Sequence, residues 1–140
     1  VYKKIIRLIK KEGLSLAKIK ILFLGLAFKG EPETSDTRDS SSLKIINKFS
    51  NFKNIFCYDP VLKKKDVEKL NLNYTSINNG FKNASLVVFL NNHKSFKKLN
   101  IETLVRKMKK PAIIIDTWNQ IDKSIFDKFQ NIRYSGLGND

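Results

Sequence analysis

The chain has 140 residues, 41% of them hydrophobic and 29% charged, which is the composition of one globular domain rather than of a disordered segment. It carries 27 Lys and Arg against 13 Asp and Glu, a formal net charge of +14. The longest apolar runs, residues 21–24 and 86–90, are only long enough for strands and exclude a membrane span. The single cysteine, Cys57, excludes an internal disulfide and fits a reducing compartment, so we expect a cytoplasmic protein.

Helical and strand signals alternate along the chain, which begins at Val1 and which we expect to be a piece of a longer protein. Helices are predicted at residues 1–12, 43–49, 65–70, 77–81, 101–109 and 124–129, and strands at 19–24, 54–58, 72–74, 85–90, 112–116 and 132–137. This alternation predicts an α/β fold: a Rossmann-like, doubly wound parallel sheet of about five to six strands with helices on both faces. We assign residues 1–17 to a leading helix, the end of a linker from a missing central domain, and residues 18–140 to one domain.

The excess of positive charge has two possible explanations. Clustered Lys and Arg would indicate nucleic-acid binding, because such proteins neutralise phosphates. Here the lysines are scattered over predicted helices and turns, and no helix-turn-helix, zinc finger or RNP-like aromatic stretch accompanies them. We therefore favour lysines on solvated faces over a nucleic-acid surface.

The loop after the first strand carries the clearest functional signal. It contains Lys29 and Arg38 and leads into a helix that residues 39–42 can cap with carboxylate or hydroxyl oxygens. In open α/β sheets, anionic nucleotides bind where the carboxyl ends of the strands face such loops. The sequence therefore predicts a nucleotide site at this loop.

Four motifs give the chain its family resemblance. The first is a Gly-x-x-Phe-Lys segment followed by Asp-x-Arg-x-Ser, formed here by Gly25, Phe28, Lys29, Asp36, Arg38 and Ser40. The others follow in order: Tyr58-Asp59-Pro60, residues 84–93 with His93 and Phe96, and residues 113–116 with Asn119. With these motifs the chain resembles, over residues 19–138, the C-terminal domain of the UDP-glucose/GDP-mannose dehydrogenase family.

The resemblance implies a UDP-sugar-binding domain of an NAD-dependent nucleotide-sugar 6-dehydrogenase. Such an enzyme oxidises the C6 alcohol of a UDP-hexose to the carboxylate of a UDP-hexuronate, in two NAD-linked steps through a cysteine-bound intermediate, for polysaccharide biosynthesis. By resemblance, Phe28 and Lys29 hold the nucleotide-sugar, and Arg38 points toward the diphosphate of NAD, which the missing N-terminal domain mainly binds. The implied partners are the UDP-sugar, the N-terminal and central domains of the same enzyme, and further copies in a homo-oligomer.

Two segments depart from the family pattern. Residues 31–34 lengthen the spacing between Lys29 and Asp36 by two residues. Many family members carry Asp-Gly-Arg where this chain has Asp116-Thr117-Trp118, and the family arginine contacts the sugar-nucleotide. Trp118, with Asn119 beside it, is therefore a candidate that stacks on the ligand, and the alternative is a buried Trp with no ligand.

The remaining candidates have structural alternatives. Arg38 could instead pair with Asp36 or Asp39, and Asp59 is interpreted as a turn former because no Gly-x-Gly-x-x-Gly follows the first strand. Asp116 is expected to cap the turn after its strand. His93 has no cysteine or carboxylate cluster near it in sequence, so no metal site is expected, and Cys57 is interpreted as a core residue. With no catalytic residue, the chain alone should be inactive; the alternative function is a free-standing nucleotide-binding or basic nucleic-acid-binding module.

Overall fold

A five-stranded, fully parallel sheet forms the centre of the computed structural model, which describes residues 1–27, 29–30, 32–136 and 138. The strand order is β2-β1-β3-β4-β5. The strands are β1 (Ile21–Leu24), β2 (Ile55–Tyr58), β3 (Leu86–Phe89), β4 (Ala112–Asp116) and β5 (Ile132–Gly136). The α-helices of the described residues are α1 (Tyr2–Lys11), α2 (Ser41–Asn47), α3 (Lys64–Lys69), α4 (Ile77–Phe81) and α5 (Ile101–Val105).

The sheet is covered on both faces, and its central strands are apolar except for Asp116 at the end of β4. All side chains of β1, β3 and β4 are buried, as expected for parallel strands between two helical layers. Ile21 and Phe23 face the layer formed by α1, α2 and α3, whereas Leu22 and Leu24 face the layer formed by α4 and α5. The predicted doubly wound α/β fold is confirmed.

Several predicted boundaries were wrong. Residues 72–74 form only one parallel bridge, Tyr74 with Cys57, so among the described residues the sheet has five strands and the predicted strand at 72–74 is not one of them. The helix predicted at 101–109 ends at Val105. The Lys110 ammonium caps this end by donating hydrogen bonds to the carbonyls of Val105, Arg106 and Met108. Residues Lys94–Lys98 and Lys123–Lys128 form short 3₁₀ helices, the first in a segment with no predicted element and the second where an α-helix was expected.

The leading helix follows its sequence pattern closely. Ile5, Leu8 and Ile9 lie on its buried face, and Gly13 follows its end with a φ of +70°, a conformation that favours glycine. Among the described residues, no helix has both the length and the apolar character needed to cross a bilayer.

Candidate functional site

The carboxyl ends of β1 and β3 form the point where the direction of strand order reverses. From β1 the chain passes to β2 on one side and later returns to β3 on the other. Ligands of open α/β sheets bind at such a switch point, in the crevice outside the strand ends. The loops that follow β1, β2, β3 and β4 therefore define the candidate site.

Asp59 joins three of these loops. Its side chain is buried, with 1% exposure, although it directly follows the edge strand β2. The Oδ2 atom accepts the backbone N–H groups of Leu26 (2.7 Å) and Ala27 (2.9 Å), and a longer contact of 3.4 Å comes from Asn91 Nδ2. The Oδ1 atom accepts from Val61 N at 2.9 Å, which forms the turn predicted for this residue. Asp59 therefore fixes the first residues of the loop that carries Lys29.

Two glycines allow the loop after β1 to lie against the loop after β3. Gly25 has a φ of +101°, and a Cβ atom there would lie 2.6 Å from Asn91 Cγ. A Cβ atom on Gly30 would lie 2.1 Å from the backbone nitrogen of His93. Both distances are impossible for a real side chain, so the close approach of the two loops requires glycine at both positions.

His93 links the same two loops through its side chain. Its imidazole is buried, and Nδ1 accepts the backbone N–H of Ser95 at 3.1 Å. Because Nδ1 is the acceptor, the proton of the neutral ring lies on Nε2, which donates to Glu33 Oε2 at 2.5 Å. Sequence reasoning missed this contact, because Glu33 lies in the lengthened part of the loop, 60 residues from His93.

The cationic residues of the loop lie at the surface. Lys29 is exposed, and the Arg38 side chain, 88% exposed, forms two hydrogen bonds of 3.1 Å with the Asp36 carboxylate. The hydrogen bonds from Arg38 lower the pKa of Asp36. The structure thus shows the Asp36 alternative for Arg38, and any contact with a cofactor remains a prediction. Phe28, the other candidate in this loop, lies outside the described residues.

Asp116 organises the turn that presents Trp118. It is fully buried at the end of β4, and its Oδ1 accepts the Trp118 N–H at 3.1 Å. Its Oδ2 accepts the N–H groups of Gln120 and Ile121, both at 2.8 Å, and the Tyr134 hydroxyl at 2.9 Å. Burial, together with the Asp116 carboxylate, raises the pKa of Tyr134. The expected capping role of Asp116 is confirmed.

Trp118 is a surface residue. Its side chain is 52% exposed, which excludes the alternative of a buried Trp. The indole Nε1 donates to the Leu90 carbonyl at 3.1 Å, so the ring is held at the end of β3. Gln120 fixes the same turn by donating from Nε2 to the Asn91 carbonyl at 2.9 Å. Asn119, with a φ of 50°, is the exposed residue between them. The indole is therefore held by a hydrogen bond and about half exposed to solvent.

The described residues contain no group of three or more His, Cys, Asp or Glu side chains that could hold a metal ion. Cys57 is buried in β2, and burial raises the pKa of its thiol to about 12. A thiol with this pKa is protonated near neutral pH, which agrees with the expected core role of Cys57.

Comparison with known proteins agrees with this arrangement. Residues 22–123 match the sequence profile of the UDP-glucose/GDP-mannose dehydrogenase family, UDP binding domain. The chain belongs to this family. The matched UDP binding domain includes all the loops described above, from Gly25 to Ile121.

Two curated relatives are UDP-N-acetyl-D-mannosamine dehydrogenases. A UDP-N-acetyl-D-mannosamine dehydrogenase from Methanococcus vannielii is 33% identical over 122 residues, which cover 84% of this chain and 26% of that protein. One from Pyrococcus horikoshii is 34% identical over 116 residues, or 79% of this chain and 25% of that protein. The chain therefore spans about a quarter of the length of the curated relatives that it matches.

Two solved structures of UDP-N-acetyl-mannosamine dehydrogenases are similar to this chain over almost its whole length. The structure of UDP-D-ManNAc dehydrogenase from Pyrococcus horikoshii has a TM-score of 0.75 at 28% identity, over 96% of this chain and 29% of that one. A UDP-N-acetyl-mannosamine dehydrogenase from Staphylococcus aureus has a TM-score of 0.72 at 28% identity, over 99% of this chain and 29% of that one.

Proposed function

We propose that residues 18–140 are the UDP-sugar-binding domain of an NAD-dependent nucleotide-sugar 6-dehydrogenase, with residues 1–17, which contain α1, as the segment that leads from its central domain. The observation that carries the proposal is the position of the Lys29 loop, which Asp59 fixes at the switch point. Because its relatives are named UDP-N-acetyl-D-mannosamine dehydrogenases, we propose a UDP-N-acetylhexosamine as the substrate. The whole enzyme would oxidise the C6 alcohol of this UDP-N-acetylhexosamine to the carboxylate and would act as a homo-oligomer in the cytoplasm.

The residues present do not form a dinucleotide site by themselves. No Gly-x-Gly-x-x-Gly follows β1, and Asp59, which occupies the position of a ribose ligand in a Rossmann domain, has both carboxylate oxygens engaged in hydrogen bonds. NAD would therefore be bound mainly by other domains of the enzyme, with Arg38 as the contact from this chain. We accordingly expect the chain alone to bind its ligand without turning it over.

Within this proposal, the chain's own residues bind and orient the nucleotide-sugar. Lys29 contacts the diphosphate, with Phe28 beside it in the loop. Trp118 offers an aromatic face on which a ring of the ligand stacks, and the exposed Asn119 supplies hydrogen bonds next to it. The Lys29 loop and the Trp118 turn are held to the same segment, since Asn91 contacts Asp59 through its side chain and Gln120 through its carbonyl.

Titration of the chain with UDP tests the proposal. We expect a dissociation constant on the order of 0.1 to 1 mM, because half of the family's site lies in other domains. Lys29→Ala should weaken binding by about 1 to 2 kcal/mol, or roughly 5- to 30-fold, the scale of a lost charge-assisted hydrogen bond. Isothermal titration calorimetry measures both constants.

Lys10→Ala is the matched control for this titration. It removes the same charge from an exposed position in the last turn of α1, outside the candidate site. UDP affinity that falls equally in both variants would reflect net charge alone, and affinity unchanged by Lys29→Ala would remove Lys29 from the site.

Trp118 gives a separate prediction about the sugar. Trp118→Ala should weaken UDP-N-acetylglucosamine binding by about 0.5 to 1.5 kcal/mol, or roughly 2- to 12-fold, and Trp118→Phe should lose less because it keeps an aromatic face. Trp118 is the only Trp of the chain, so the tryptophan fluorescence of the protein should change on addition of either ligand. Equal losses for UDP and the UDP-sugar would place the indole against the nucleotide, and no loss with no fluorescence change would exclude Trp118 from the site.

A further inference from the structure

A cleft lined by lysines lies at the amino ends of the strands, at the opposite end of the sheet from the candidate site. Its volume is about 760 Å³, and its walls include Lys18, Lys20, Lys109 and Lys110. We call this feature the lysine cleft. Ser15 and Asn83 add polar groups to its lining. The nucleotide-binding proposal makes no use of this end of the molecule.

Backbone hydrogen bonds bring the walls of the lysine cleft together. The segment before β1 meets the segment before β3, where Ser85 N donates to the Lys20 carbonyl at 2.9 Å. The segment before β3 in turn meets the segment before β4, where Lys109 N donates to the Ala84 carbonyl at 3.0 Å. Three segments from distant parts of the sequence therefore form one cavity, and two of them, before β1 and before β4, supply its lysines.

The four lysines fall into two pairs. Lys20 and Lys110 are fixed in the walls, because the Lys20 ammonium donates to the carbonyls of Asn79 and Lys82, each at 2.7 Å, and the Lys110 ammonium donates to three carbonyls at the end of α5. Lys18 and Lys109 are exposed, and neither side chain forms a hydrogen bond or ion pair with another described residue. Lys20 and Lys110 therefore have a structural role, because their ammonium groups bind carbonyls at helix ends. Lys18 and Lys109 have no such role.

No acidic side chain lines the lysine cleft among the residues that the structure describes. A second cleft of about 430 Å³ shares Asn83 with it and adds Lys82 and Lys107, again without an acidic residue. Burial and the charge of Lys82 lower the pKa of Lys20, and burial and the charge of Arg106 lower the pKa of Lys110. A bound anion would relieve this mutual repulsion.

We propose that the lysine cleft binds a linear chain of phosphates, such as a triphosphate. Lys18 and Lys109 contact the phosphate oxygens, and the fixed ammonium groups of Lys20 and Lys110 supply the surrounding positive field. A triphosphate carries about four negative charges near neutral pH, which matches the four lysines. Inorganic tripolyphosphate and the triphosphate of a nucleotide share this chemistry. This site is independent of the one that contains Lys29.

Nuclear magnetic resonance of the ¹⁵N-labelled chain tests this proposal residue by residue. At an ionic strength of about 0.15 M, inorganic tripolyphosphate should shift the amide signals of Gly13, Ser15, Asn83 and Ser85. ATP is the second arm: tighter binding than tripolyphosphate identifies a nucleotide as the ligand, and equal binding identifies the phosphate chain alone. Shifts confined to Gly25 and Gly30 would place the anion at the Lys29 loop and overturn the proposal.

The double variant Lys18→Gln with Lys109→Gln should weaken binding at the cleft by at least about tenfold, because it removes two charge-assisted contacts. Both positions are exposed, so the variant should keep the folded spectrum. Lys64→Gln with Lys65→Gln is the matched control, since it removes the same charge from exposed positions of α3. Less than about twofold weakening in the control supports a local site. Equal weakening in both would show that net charge alone attracts the anion and would overturn the proposal.

Discussion

Gly25→Ala should lower the free energy of unfolding by about 2 to 5 kcal/mol, because it adds a steric clash to an unfavourable backbone conformation. The new Cβ would lie 2.6 Å from Asn91 Cγ and 2.7 Å from the Asn91 backbone nitrogen. Asn91 cannot move away easily, since it is buried and its carbonyl accepts from Gln120. Chemical denaturation monitored by circular dichroism measures the loss.

Gly13→Ala separates the two parts of this effect. Gly13 also has a positive φ, +70°, but nothing lies within 4 Å of a Cβ placed there. Its substitution should therefore cost only about 1 to 2 kcal/mol, the backbone contribution. The difference between the two variants measures the close approach of the loops after β1 and β3. Equal losses would mean that the loops are not packed as the structure has them.

Much of the fold could be predicted because its signals are local. The runs Ile21–Leu24, Leu86–Phe89 and 112–115 are apolar, short and separated by helical patterns, and parallel strands buried on both faces have this appearance. The 72–74 segment has a similar local preference, but it makes only one bridge to β2, between Tyr74 and Cys57, and no continuous strand pairing. Pairing depends on tertiary contacts, which the sequence pattern of a three-residue segment does not contain.

The location of the candidate site could be predicted from the sequence, but the contacts between its loops could not. The positions of Lys29 and Trp118 follow from the strands that precede them. The contact between Glu33 and His93 and the approach of Gly30 to His93 depend on how two loops meet across the switch point. One signal was available: a glycine and a carboxylate within a lengthened loop, and a histidine in the loop after the neighbouring strand. These residues do not indicate how far apart the two loops lie until the strand order is known.

Asp59 and Asp116 have the same role at different strands. Each is buried at a strand end, and each carboxylate accepts several N–H groups of the segments that carry site residues. Asp59 holds the start of the Lys29 loop, and Asp116 holds the turn of Trp118. The two carboxylates therefore fix two separate parts of the candidate site, the Lys29 loop and the Trp118 turn.

Asp59→Ala should lower the free energy of unfolding by about 3 to 5 kcal/mol, because the buried N–H groups of Leu26 and Ala27 lose their acceptor. Asp59→Asn keeps the shape but leaves one acceptor oxygen, so about 1 to 3 kcal/mol should be lost. UDP affinity should fall in Asp59→Asn, since Lys29 is then less well positioned. Thermal and chemical denaturation give the stability change, and calorimetry gives the affinity.

Hydrogen exchange distinguishes a local clamp from a general loss of stability. In Asp59→Asn the amides of Leu26 and Ala27 should exchange faster, while those of Gln120 and Ile121, which donate to Asp116, should keep their protection. Asp116→Asn should give the reverse pattern, with the Gln120 and Ile121 amides exposed first. If both variants accelerate all four amides equally, the carboxylates stabilise the fold as a whole and do not hold the Lys29 loop and the Trp118 turn separately.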